Sequence, residues 1–234
     1  LSPTILTLMI IFVLTLFIFY FYEQRQRHPF IDFSLFSNKV YIGTTIANLL
    51  VNTVIGSLAL FNIFAQAGLG LTGAQAGLIT IPYMLGSLLM IRIGERFMQK
   101  KGPQIPLMAG PISISVGILL LALNFLPHIL YYIIALIGFS FIGLGLGFFA
   151  TPALSTAVSN APESKVGMAS GIIKMTSTLG AAFGIAVVTT VYSTLEINHT
   201  PHMAATIALI VGACMVISAF IVAFLVIPKQ HVKA

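Results

Sequence analysis

Residues 130–151 read LYYIIALIGFSFIGLGLGFFAT, a run without a single charged side chain. An α-helix of roughly 20 apolar residues crosses a bilayer core about 30 Å thick. Backbone N–H and C=O groups find no water partners there, so a spanning segment of this kind must bond them within itself, as a helix does. The stretch therefore predicts a transmembrane helix.

The composition extends this prediction to the whole chain. Hydrophobic residues make up 58% of the sequence and charged residues 7%, and the mean hydropathy is +1.06. A soluble domain carries roughly 25% charged residues because its surface faces water. Most of this surface must therefore face lipid, which predicts an all-α, polytopic membrane protein. The single cysteine, Cys214, excludes a disulfide framework and a cysteine-based metal site, and we predict no metal and no cofactor.

Six further segments have the length and hydropathy of a span. The seven predicted transmembrane helices, numbered one to seven, cover 3–22, 40–66, 74–91, 104–124, 130–151, 166–192 and 203–227. We divide the chain into a helix (1–23), a cytoplasmic connector (24–39), a six-helix domain (40–228) and a cytoplasmic tail (229–234). The chain starts Leu1-Ser2-Pro3 without an initiator Met, so we expect it to be part of a longer polypeptide.

Positive charge alternates along the connections between these spans. The connections after spans one, three and five and the tail contain lysine or arginine, and those after spans two, four and six contain neither. Basic connections lie on the cytoplasmic side. We therefore expect the first residue outside and the last in the cytoplasm of a bacterial inner membrane. The net charge of +6 is explained in the same way and does not indicate a nucleic-acid partner.

No acidic side chain lies within a predicted span. The five carboxylates are all in connections or at helix ends: Glu23, Asp32, Glu95, Glu163 and Glu196. Proton-coupled transport generally uses an ionisable group inside the membrane. If the protein is proton-coupled, the carrier acid is therefore expected in an N-terminal half of the polypeptide. No cluster of His, Asp and Glu lies at membrane depth, which disfavours an enzyme.

Lys174 is the one charge placed well inside a span, about two turns into span six. Its side chain could extend to the cytoplasmic interface, face a substrate cavity or pair with an acid from the other half, or hydrogen-bond a neighbouring helix. The sequence leaves these three interpretations open.

Span two carries an amide row at helical spacing. Its members are Asn48, Asn52, Asn62 and Gln66. With Gly56 and Ala59 between them, steps of three or four residues place all six near one helix face. Such a row either hydrogen-bonds a neighbouring helix or lines a wet cavity. We predict a substrate cavity lined by Asn48, Asn52, Phe61, Asn62, Gln66, Tyr83 and Lys174.

Three glycine pairs at GxxxG spacing predict close helix packing. They are Gly143 and Gly147, Gly167 and Gly171, and Gly180 and Gly184. A separate stretch, 92–102, places an acid among basic residues at a cytoplasmic helix end. Either these residues are ordinary cytoplasmic charge, or they form a clamp that locks one conformation by ion pairing. The candidate clamp residues are Arg92, Glu95, Arg96, Lys100 and Lys101.

Three stretches resemble the major facilitator superfamily and, within it, the fourteen-helix drug/proton antiporters (NorC- and QacA-like multidrug efflux pumps). Residues 91–101 resemble the loop motif G-x-L-a-D-R-x-G-r-[RK], with Glu95 and Arg96 at its Asp-Arg pair. Residues 143–184 resemble the pattern G-x-G-x-G…P…ASG…LG-x-x-x-G. Residues 28–36, HPFIDFSLF, resemble the connector HPLIDLSLF of that group.

The resemblance implies that span one is one of two extra helices between two six-helix halves, and that spans two to seven form the C-terminal half. Spans two, three, five and six would line a central cavity, and spans four and seven would face lipid. It further implies proton-driven export of small amphipathic drugs and dyes, and antibiotic resistance, by alternating access. The partners would be lipid, protons, these drugs and the N-terminal half.

A different class of function remains possible on the sequence alone. The chain could be a non-transporting membrane scaffold or receptor-like module that shares the fold. The intramembrane amides favour transport, because a scaffold has no need of a polar helix face.

Overall fold

The computed structural model describes residues 3–23 and 33–226, and in these two ranges it contains helices and no strand. Two 3-10 helices, Phe33–Ser37 and Glu163–Lys165, accompany the α-helices. The α-helices are α1 (Pro3–Glu23), α2 (Lys39–Asn52), α3 (Val54–Ala67), α4 (Gly73–Lys101), α5 (Gln104–Leu121), α6 (His128–Ser159), α7 (Val166–Glu196) and α8 (Pro201–Val226). The predicted all-α polytopic fold is confirmed.

Six helical segments within the described ranges are long and apolar enough to cross a membrane. They correspond to predicted spans two to seven, with span two formed by α2 and α3 together, and α1 is an additional apolar helix. The chain is therefore a multi-pass membrane protein. Residues 24–32, most of the predicted connector 24–39, and the whole predicted tail 229–234 lie outside the described residues. The four-part division stays a prediction.

Span two is broken at Thr53, where a single continuous helix was expected. The Thr53 hydroxyl donates to the Leu50 carbonyl at 2.6 Å, and the Thr53 backbone N–H reaches the same oxygen at 3.2 Å. This tight turn ends α2, and α3 begins one residue later. Irregular backbone at membrane depth is tolerated where protein surrounds it, and Thr53 is fully buried.

The C-terminal end of α4 extends further than span three was predicted to. The helix continues through the whole charged stretch to Lys101 and ends at Gly102. Gly102 has a φ of +82°, a conformation that glycine adopts without steric cost. Only Gly102 and Pro103 then separate α4 from α5. The candidate clamp residues are therefore helical rather than part of a loop.

Glycines set the distance between α6 and its two neighbours. A Cβ at Gly143 would meet the Tyr83 carbonyl of α4, and one at Gly147 would meet the Ser87 carbonyl. On the other side, a Cβ at Gly145 would lie 2.6 Å from the Gly110 carbonyl of α5. Such contacts are possible only with glycine, so the predicted packing role of Gly143 and Gly147 is consistent with their surroundings.

The two glycine pairs of α7 behave differently. A Cβ at Gly180 would meet the Leu49 carbonyl of α2, and one at Gly184 would meet the Thr53 carbonyl at the helix break. A Cβ at Gly167 or at Gly171 would meet no other atom within 4 Å. No described helix therefore packs on Gly167 and Gly171, and their packing role stays a prediction. Gly171 lies nine residues before Gly180, which at 100° per residue puts it on the opposite helix face.

The remaining helices pack mainly on α6, α7 and α8. α5 lies against α6 and α8, while α2 and α3 lie against α7 and α8. Phe61 of α3 and Phe139 of α6 meet at the centre of the core, their rings 4.7 Å apart at the centroids. α4 packs on α6 and exposes an apolar face that includes Leu85, Leu88 and Leu89. This arrangement leaves α2, α6 and α7 adjacent to one another.

Candidate functional site

A pocket of about 290 Å³ lies between α2, α6 and α7. Its polar lining residues are Asn48, Asn52, Thr151, Lys174 and Ser177. Its apolar lining residues are Leu146, Phe149, Ala150, Leu154 and Ile173. Ala150, Leu154 and Lys174 are exposed, so the pocket opens at the surface of the described chain. It brings together three of the seven predicted cavity residues.

Asn48 joins the pocket wall to α7. Its side-chain amide nitrogen donates to the Ile173 carbonyl at 3.0 Å, to the Thr176 hydroxyl at 3.1 Å and to the Ser177 hydroxyl at 2.9 Å. The residue is 5% exposed. Since the α7 acceptors share the donor capacity of this amide, Asn48 is primarily an interhelical hydrogen-bonding residue. One of the two roles open for the amide row, interhelical bonding, therefore applies here.

Asn52 has spare hydrogen-bonding capacity. Its amide nitrogen donates to the Asn48 carbonyl at 2.8 Å and to the Asn48 side-chain oxygen at 3.2 Å. Its own side-chain oxygen accepts no hydrogen bond from the described residues, and the residue is half-buried. Asn52 therefore presents an acceptor to the pocket.

Lys174 is the only charged group that lines the pocket. Its side chain is exposed, and it forms no hydrogen bond or ion pair with any described residue. Lys174 is the ninth residue of α7, about 12 Å from the start of that helix at 1.5 Å per residue. Among the interpretations left open by the sequence, bonding to a neighbouring helix of this chain is not observed.

The other four predicted cavity residues lie elsewhere. Phe61 is 1% exposed and packs on Phe139, so it belongs to the core and not to the pocket. Asn62 donates to the Leu58 carbonyl within its own helix, and Gln66 donates to the Asn62 carbonyl. Tyr83 is half-buried on α4, and its carbonyl faces Gly143. None of these four lines the pocket around Lys174.

The candidate clamp residues occupy the last turns of α4 and are all exposed. Glu95 pairs with no basic residue in the described ranges. The Lys101 ammonium lies 5.1 Å from the centroid of the Phe97 ring, which itself packs against Phe148 of α6. A clamp that uses Glu95 would therefore need a partner beyond these residues.

Sequence reasoning missed several pocket residues and one polar cluster. No sequence pattern marks the pocket residues Thr151, Ser177 and Phe149, because they line a pocket only where α2, α6 and α7 meet. At the opposite end of the bundle, His202 lies in the first turn of α8, with its Nδ1 2.9 Å from the Asn124 carbonyl. The Thr206 hydroxyl accepts from the Asn124 amide at 3.1 Å and donates to the Ala122 carbonyl. This cluster ties the start of α8 to the end of α5.

Within residues 3–23 and 33–226, no group of three or more His, Cys, Asp or Glu side chains is placed to hold a metal ion. The pocket therefore offers one cation, one amide oxygen and hydroxyl groups in an apolar wall. Such a site can bind a molecule by hydrogen bonds, charge and ring contacts.

Long apolar helices, packed through glycines beside a partly polar pocket, define a polytopic membrane protein. The chain belongs to the Major Facilitator Superfamily, whose family model matches residues 2–185. It is 44% identical over 226 residues to the quinolone resistance protein NorB of Staphylococcus aureus strain MRSA252. The proteins of the same name from strains JH9 and JH1 give the same identity and length. Each alignment covers 97% of this chain and 49% of the relative, so the chain spans about half the length of the curated relatives it matches.

Proposed function

We propose that this chain is the C-terminal half of a proton-coupled multidrug exporter in a bacterial cell membrane. The observation that carries the proposal is the pocket that joins Asn52 and Lys174 across α2 and α7, in a chain similar to quinolone resistance proteins. Amphipathic drugs suit such a pocket, because they combine an apolar ring system with a few polar groups. Transport would involve no covalent conversion of the drug.

The proposed transport cycle uses two halves. An N-terminal half would close the open side of the pocket, and the two halves would rock so that the pocket faces each membrane side in turn. Because all five carboxylates of this chain lie in connections or at helix ends, the proton-carrying acid is assigned to the N-terminal half. The clamp residues at the end of α4 would pair with groups of that half in one of the two conformations.

The test is drug efflux by the full-length protein in cells that lack their own pumps. We expect dye export that stops when the proton gradient is collapsed. The double substitution Asn52→Leu, Lys174→Leu should reduce the export rate by at least about tenfold, the effect of losing one charged hydrogen bond. The matched control is Lys39→Leu, Asn198→Leu, which removes the same residue types from exposed positions outside the pocket.

Two results would contradict the proposal. If the full-length protein exports nothing from a broad drug panel, the scaffold hypothesis replaces it. If export persists unchanged in the Asn52→Leu, Lys174→Leu variant at equal membrane expression, the substrate contacts lie outside this pocket.

A further inference from the structure

Lys174 is a cation with no counter-ion among the described residues of this chain. All three acids whose side chains are described, Glu95, Glu163 and Glu196, are at helix ends. Glu23 and Asp32 fall in and beside the connector after span one. A charge at membrane depth is favoured when an opposite charge neutralises it. No described residue supplies that opposite charge for Lys174, so a counter-ion that binds it comes from another molecule or from the other half.

Some polar groups of the pocket already form hydrogen bonds within the chain, and others do not. The Asn48 amide is shared among three α7 acceptors, and the Ser177 hydroxyl donates to the Ile173 carbonyl at 3.1 Å. The Thr151 hydroxyl and the Lys174 ammonium have no partner among the described residues. Two free donors, from α6 and α7, therefore line the same pocket, and the free acceptor is the Asn52 oxygen.

The rest of the lining sets the shape of the ligand. Phe149 and Leu146 of α6 and Ile173 of α7 give the pocket an apolar wall. An anion that has no apolar part would gain nothing from this wall. A carboxylate attached to a ring system would place its charge on the ammonium and its ring on Phe149.

We propose that this pocket selects amphipathic substrates that carry a carboxylate, with Lys174 as the carboxylate-binding residue and Thr151 as a second donor. Asn52 would accept a hydrogen bond from an N–H or O–H group elsewhere on the substrate. This inference rests on the proposed function and names the substrate class of the same site. The alternative partner for the Lys174 ammonium is an acidic side chain of the N-terminal half.

The test is binding, measured separately from transport. Purified full-length protein in nanodiscs is equilibrated by dialysis with a quinolone carboxylic acid and with its ethyl ester, which differ only in the masked carboxylate. The variants are Lys174→Gln, which removes the charge, and Lys174→Arg, which keeps it. Lys39→Gln removes a lysine at the exposed start of α2 and serves as the matched charge control.

We expect the unaltered protein to bind the acid at least about tenfold more tightly than the ester, the size of one charge-assisted hydrogen bond. The ratio should fall to about one in Lys174→Gln and persist in Lys174→Arg and Lys39→Gln. An unchanged ratio in Lys174→Gln overturns the inference, as does equal or absent binding of the two probes by the unaltered protein. A third result would also overturn the inference: Lys174→Gln lowers the thermal stability and weakens the binding of acid and ester equally. Lys174 would then belong to a structural ion pair. Failure of all dye transport, by contrast, bears on the exporter proposal itself.

Discussion

Asn48 and Lys174 line the same pocket but differ in their hydrogen bonding. Asn48 satisfies its amide entirely within the chain, through acceptors on α7. Lys174 satisfies none of its three donors among the described residues. A buried and bonded amide contributes to folding, whereas an exposed cation without a described partner adds no such contact. Asn48 is therefore expected to affect stability, and Lys174 is the residue that we propose for binding.

This difference predicts the effect of Asn48→Leu. The substitution removes the hydrogen bonds to α7 and leaves buried acceptors on that helix less well satisfied. We expect the free energy of unfolding of the full-length protein to fall by about 1–2 kcal/mol. Thermal unfolding in detergent, followed by circular dichroism, measures the change.

The matched control is Asn62→Leu. Asn62 donates only to the Leu58 carbonyl within its own helix, so its loss breaks no contact between helices. Its midpoint should stay close to that of the unaltered protein. Equal destabilisation by the two substitutions would contradict the interhelical role of Asn48.

Helical spacing in span two predicted some of the pocket residues and not others, because it gives the helix face but not the depth along the helix. Asn48 and Asn52 are one turn apart and both reach the pocket. Asn62 lies ten residues beyond Asn52, about 15 Å further along the helix axis, which is beyond a pocket of this size. Phe61 lies nine residues from Asn52, on the opposite helix face, and there it meets Phe139. Helical periodicity identifies a face, but depth along the helix decides which residues share a site.

At the scale of helices, close approach through glycine fixes how α6 sits between α4 and α5. Gly147 leaves no room for a methyl group beside the Ser87 carbonyl. Gly147→Ala should therefore push α4 and α6 apart and lower the free energy of unfolding by about 1–3 kcal/mol, as overpacking does. The measurement is the thermal unfolding midpoint of the full-length protein.

Gly77→Ala in α4 is the control for this prediction. Apart from the backbone of its own helix turn, no described atom lies within 4 Å of a Cβ at Gly77, so the methyl group does not contact another helix. Alanine also favours a helix over glycine. An unchanged or raised midpoint is expected, and an equal loss in both variants would contradict the explanation of the Gly147→Ala effect by overpacking against α4.

Hydropathy located the helical segments but not the break within span two. The segments on both sides of Thr53 are apolar enough to continue one span, and hydropathy carries no information on φ and ψ. At the break the Thr53 hydroxyl donates to the Leu50 carbonyl, and Gly184 of α7 faces the Thr53 carbonyl. Likewise, GxxxG spacing marks a smooth helix face without saying whether another helix covers it. Gly167 and Gly171 have the spacing, and no described helix of this chain covers them.

At the scale of the whole molecule, the alternation of basic connections predicts the orientation in the membrane. In a Cys214→Ser background, Asn198→Cys in the connection between α7 and α8 should react with a membrane-impermeant maleimide on intact cells. Lys100→Cys at the end of α4 should react only after the membrane is made permeable. Both positions are exposed in the fold. The reverse pattern of labelling would invert the predicted topology.

The sequence was sufficient for the architecture because bilayer thickness and charge asymmetry act on every span in the same way. The pocket depends instead on which three helices meet, and that depends on contacts between α2 and α7 near Gly180 and Gly184. Pairwise packing of this kind leaves no periodic signal in one sequence. For that reason Lys174 could be noticed as unusual, while Thr151 opposite it could not.

Lys174 also has an electrical consequence. An elementary charge that crosses a membrane potential of 100 mV does work of about 2.3 kcal/mol. A rocking motion that moves an empty pocket through part of that voltage drop carries the lysine charge with it and should produce a transient current. When a carboxylate neutralises the ammonium, the same motion moves no net charge at this position. The empty and the loaded pocket would then respond differently to membrane voltage, because the Lys174 charge adds a voltage dependence to the return of the empty pocket that the passage of a carboxylate substrate lacks.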